Sequence, residues 1–143
     1  MKIVRIAALL LAGLGVGGGA SWATGQILGP PPAAGAEAQA ATAFVPGGAV
    51  LAPVTFPDGR LSGYVRFQVH LEVAEDDAER LTVRVPLLLH AINMRTFKTP
   101  LASGPDGLLP DVARFRRVVQ EAADDAWGRG AVEAVAITGA EPA

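Results

Sequence analysis

Cysteine is missing from the chain altogether. That excludes a disulfide scaffold, a lipid-anchored cysteine, a thiolate zinc site and a cysteine nucleophile. Basic blocks are missing too. The formal net charge is −2, so nucleic-acid binding has no electrostatic support. Aromatic residues make up only 6% of the chain, too few for a stacking platform for bases or sugars. Histidine occurs twice, at His70 and His90, which is sparse for a metal site. The G-x-S-x-G signature of a serine nucleophile does not occur, and no base stands beside Ser21, Ser62 or Ser103 in sequence. No cofactor and no small-molecule substrate is expected, and the chain does not read as an enzyme.

Charge is also lacking over one long stretch. From Ile6 to Leu28 there are 23 uncharged residues, preceded by Lys2 and Arg5. Such a run crosses a hydrocarbon core of about 30 Å. Trp22 then sits at the far interface, and the basic residues mark the cytoplasmic side. The same segment reads as a secretion signal, with Ser21-Trp22-Ala23 as the cleavage site and release after Ala23. The two readings stay open; the uncharged length favours an anchor. Within it, Gly13 with Gly17 and Gly15 with Gly19 have the small-xxx-small spacing that lets membrane helices approach closely. These four glycines are the candidate anchor-packing residues. Both readings export the rest of the chain.

What is present divides the 143 residues into four parts. Residues 1–29 form the anchor or uncleaved signal. Residues 30–48, rich in Pro, Ala and Gly, read as a linker. Residues 49–139 form one small domain, and 140–143 a tail. Val50 to Phe56 suits a short strand that Pro53 confines to an edge, where it could accept a peptide strand. Pro57-Asp58-Gly59 is a turn. Val65, Phe67, Val69, Leu71 and Val73 alternate with Arg66, Gln68, His70 and Glu72, a half-buried strand.

The stretch from Asp76 to Phe97 supports two readings. Leu81, Val83 and Val85 alternate like a returning hairpin strand. Leu81, Val85, Leu88 and Ile92 are also spaced as a helical stripe, with Asp76 or Asp77 as N-cap and a kink at Pro86. The helix is the favoured reading. The run Glu75, Asp76, Asp77, Glu79 lacks the spaced ligands and glycine of a calcium loop and reads as capping and solvating acids. A Pro/Gly-dense loop follows. Then Val112, Phe115, Val119, Ala122 and Ala126 mark a helix that Pro110 opens and Gly128 stops. Val132 to Thr138 is a closing strand, expected to be covered on both sides. On the second helix, Arg114, Arg116 and Arg117 form a basic face and Trp127 lies at its end. Arg114, Arg117 and Trp127 are the candidate partner face.

These pieces, in this order, resemble the FliL family, the flagellar basal-body-associated membrane proteins of bacteria. The likeness rests on a glycine-bearing N-terminal anchor with a Pro/Ala linker, then "YVRFQVHLEV" running into "AEDDAERL". It continues through "VPLLLHAINMRTF", the helix "ARFRRVVQEAADDAWG" and the strand "GAVEAVAIT". The resemblance implies a single-pass inner-membrane protein with a periplasmic α/β domain of stomatin-like fold. The implied element order is β-β-α-α-β around a small mixed sheet, with a helix through Pro86. It also implies self-association, association with the flagellar stator and basal body, and support of motility, without catalytic residues. The chain departs from the family pattern in its short "TGAEPA" ending and its Pro/Gly-rich loop.

Overall fold

A computed structural model describes residues 40–143. Strand β1 (Thr42–Thr55) and strand β2 (Leu61–Ala74) form a long antiparallel hairpin. The turn between them closes by Phe56 N–H to Arg60 O and Gly59 N–H to Phe56 O, both 2.9 Å. Asp58 reinforces it: its carboxylate accepts from the Arg60 backbone N–H at 3.0 Å and from the guanidinium Nε at 2.7 Å. Helices α1 (Glu75–Val83) and α2 (Val85–Thr96) follow, then a loop holding the two-residue strands β3 (Ala102–Ser103) and β4 (Leu109–Pro110). Helix α3 (Val112–Trp127) leads to β5 (Ala134–Pro142), which pairs antiparallel with the free side of β2. The main sheet therefore has the order β1-β2-β5, with β2 in the centre.

The alternation in β2 decides where the helices go. Val65, Phe67, Val69, Leu71 and Val73 are buried, while Tyr64, Arg66 and Gln68 on the other face are exposed. One face is apolar, so the helices cover that face only. Leu81 of α1, Leu88 and Ile92 of α2, and Phe115, Val119 and Ala122 of α3 complete the core. The rings of Phe67 and Phe115 stack at 3.8 Å and 13°, joining the central strand to the last helix. Each such side chain stabilises the fold by about 1.5–3 kcal/mol through burial alone.

Among the described residues the fold class is α+β, with three helices and an antiparallel sheet in place of the expected mixed one. The stretch 76–97 is helical, but as two helices that break at Arg84 rather than one that kinks. Pro86, in the first turn of α2, has no N–H to continue the ladder from α1. Neither Asp76 nor Asp77 caps α1. The N-cap is Ala74, without a side-chain bond, and the acids lie in the first turn, where the helix dipole favours them. Pro110 belongs to β4, and Asp111 caps α3, accepting from Arg114 N–H at 2.8 Å. Gly128, at φ +98°, ends α3.

Both outer strands are longer than the sequence predicts. β1 begins at Thr42, so residues 42–48 belong to the sheet and not to a linker. A bulge between Pro46 and Gly48 keeps Val45 and Val50 on the same buried face. β5 runs to Pro142, taking in most of the expected tail, and it is covered on one side only. Among the described residues no helix is long and apolar enough to cross a membrane. The uncharged stretch from Ile6 to Leu28 lies outside the described residues, as do Gly13, Gly15, Gly17 and Gly19.

Candidate interaction site

Among the described residues the candidate serine and histidine side chains do not come together. Among the described residues there is no cluster of three or more His, Asp or Glu side chains placed to hold a metal ion. Ser62 Oγ donates to Gly107 O at 2.7 Å, a structural tie between the hairpin and the 104–109 loop. His70 Nδ1 lies 3.3 Å from Thr138 Oγ1 on the open face of the sheet, and His90 is exposed on α2.

The three residues of the expected partner face have separate fates. Trp127 is only 8% exposed and belongs to the core. Its indole Nε1 donates to Arg84 O at 3.2 Å, at the break between α1 and α2. Arg84 returns the contact, its Nη2 donating to Ala126 O at 3.2 Å. Trp127 is thus an internal anchor, not a surface one. Arg114 is half-buried. Its Nη1 donates to Pro100 O at 2.8 Å, and its Nε lies 3.6 Å from Asp111 Oδ2, so it ties the loop to the start of α3. Arg117 remains exposed, and so does its neighbour Arg116. Among the described residues neither makes an ion pair within 4.0 Å. The two line a groove between α3 and β5 together with Ala113, Gln120, Ala134 and Val135. Gln120 Nε2 also donates to Val132 O at 3.3 Å.

Sequence spacing gave no notice of a second clamp. Arg95 of α2 reaches Glu121 Oε2 at 2.7 Å and Asp125 Oδ2 at 3.0 Å through Nε, joining α2 to α3. The hydrogen bond to Asp125 is the main reason its guanidinium pKa is raised, with attraction to both carboxylates adding to it. Three-dimensional proximity, not periodicity, brings these charges together; they lie 26 and 30 positions apart.

A second exposed surface is apolar. Leu51 of β1 and Phe97, at the end of α2, are 52% and 71% exposed and line a groove beside the β1 edge with Val50, Leu89 and Asn93. Leu108, at the opposite end of the hairpin from Thr42, is 74% exposed. Gly107 beneath it sits on the Phe56 ring. The chain matches no protein-family model and no curated protein.

Proposed function

We propose that the protein is a non-enzymatic, FliL-like assembly factor. In this reading residues 6–28 anchor it once in a bacterial inner membrane and the domain stands in the periplasm. There several copies gather beside flagellar stator and basal-body proteins and support motility. Gly13, Gly15, Gly17 and Gly19 pack the anchors against one another, and the domain has the stomatin-like form expected of that family. The observation that carries the reading is the order of elements. A long hairpin runs into an acidic corner, a helix restarts at a proline, a loop and second helix follow, and a final strand closes on the central one. The same order underlies the sequence resemblance. Arg117 is the member of the expected partner face that remains available at the surface.

The experiment is expression of the full chain in a motile bacterium, an alkaline wash of the membranes, and an intact mass, followed by crosslinking to stator proteins. Full-length mass in washed membranes together with a stator crosslink is the expected result. A soluble product beginning at Thr24 overturns the anchored mechanism. It leaves a released periplasmic binding module, a role that the two open strand edges, on β1 and β5, also suit.

A further inference from the structure

From the groove between α3 and β5 we infer that this edge of the sheet binds an extended acidic segment of a protein partner by strand addition. Among the described residues β5 is an outer strand, bonded to β2 on one side only. Alternate N–H and C=O groups along its nine residues therefore point away from the sheet, save at the irregularity between Ile137 and Gly139 and at Pro142, which has no N–H. That length offers a template of roughly 30 Å. An added strand has a period of two, so every second side chain faces the helix layer. Beside Val135 those side chains meet Arg116 and Arg117, which have no carboxylate partner among the described residues. Backbone pairing supplies attachment, and the two guanidiniums select glutamate or aspartate at the alternate positions. Ala113 and Ala134 keep the groove shallow, so the segment needs no bulky anchor.

The other outer strand makes a contrasting case. β1 carries Pro46 and Pro53, two residues with no N–H to offer a partner, and a bulge between Pro46 and Gly48 interrupts its ladder. Its groove is lined by Leu51, Leu89 and Phe97 and holds no charged side chain to choose an occupant. Among the described residues an exposed pair of basic side chains lies beside β5, and none lines the groove beside β1. This inference does not depend on the anchor or on the flagellar reading.

The probe is a fluorescent nonapeptide with glutamate at every second position and threonine between, titrated against the full chain in detergent and followed by anisotropy. Three controls accompany it: the lysine counterpart, the glutamate peptide N-methylated at alternate residues, and the double variant R116E/R117E. Saturable binding that weakens about tenfold or more with the double variant, with the lysine peptide and with the N-methylated peptide is expected. Circular dichroism of the variant confirms that it is folded. Failure of the glutamate peptide to bind, or equal binding of the lysine peptide, overturns the proposal. Binding that survives N-methylation but not R116E/R117E overturns strand addition and leaves a plain charge contact. Crosslinking of two copies through Val135 in the absence of peptide assigns the edge to self-association instead.

Discussion

Trp127 and Arg84 hold each other across 43 positions of sequence: the indole donates to the Arg84 carbonyl, and the guanidinium donates to Ala126 O, next to that indole. The pair fixes the end of α3 against the break between α1 and α2. Arg84 O also accepts from Leu87 N–H at 3.1 Å, so losing the indole does not strand it. Replacing Trp127 by Phe therefore costs only about 0.5–1.5 kcal/mol for the hydrogen bond, plus a small packing loss. Trp127→Ala costs about 3–5 kcal/mol. Urea unfolding followed by circular dichroism measures both; equal losses would mean that the hydrogen bond, not the ring's volume, dominates.

The Phe67–Phe115 stack is the other joint between the sheet and α3. Phe115→Ala is expected to cost about 3–5 kcal/mol, a large part of a small domain's total of about 5–15 kcal/mol. Phe115→Leu refills most of the space and costs about 1–1.5 kcal/mol. A Leu variant as damaged as the Ala variant would show that ring stacking matters more than filled volume.

Arg95 presents the opposite case. Its side chain is 35% exposed and its partners more so, so water and salt screen the clamp. Arg95→Gln is expected to lower stability by about 0.5–1 kcal/mol at low salt and by less at ~1 M salt. Thermal melts at the two ionic strengths test this; an equal loss in both would mean the stem of the side chain, not its charge, joins α2 to α3.

Asp58 gives the hairpin turn a pH dependence. Hydrogen bonds from the Arg60 side chain, and then from its backbone, hold the Asp58 carboxyl below its ordinary value of 3.8. A depressed folded pKa means the contribution is present above 3.8 and lost as pH falls through the lower folded value. An NMR titration of the Asp58 carboxyl should give a midpoint below 3.8 in the native chain. It should rise toward 3.8 in Arg60→Gln.

Gly107 combines a φ of +63° with a ring directly behind it. A Cβ there would run into the Phe56 ring at Cζ. Gly107→Ala must both adopt an unfavourable backbone and push the ring away, at a cost of about 1–3 kcal/mol. Hydrogen exchange should rise in residues 104–109 and in the turn at 56–60, and little elsewhere. Uniformly faster exchange would mean the loop is integral to the core.

Legibility in the sequence followed the range of the forces involved. β2 and α3 were readable because their periods of two and of three-to-four are local consequences of one buried face. The helical nature of 76–97 was readable from the stripe Leu81, Val85, Leu88, Ile92. The break at Arg84 follows from Pro86 close by, whereas the bond by which Trp127 holds it reaches in from far along the chain. The beginning of β1 was not readable, because Pro46, Gly47 and Gly48 look like linker and become strand only by pairing with His70 and Val69. The ending of β5 was hidden for the same reason: Gly139 to Pro142 are held by β2, not by their own propensities. As for the site, the basic face of α3 was visible as a set. That Arg114 is taken up by Pro100 while Arg116 and Arg117 make no ion pair among the described residues is a matter of tertiary contacts alone.

The third strand of the sheet is drawn from residues 134–142, yet it rests on residues 65–72. Synthesis therefore delivers the hairpin and α1 to α3 while one side of the central strand still lacks β5. A copy interrupted before Ala134 would display that bare side as an adhesive backbone edge, a marker by which proteases could tell unfinished chains from finished ones.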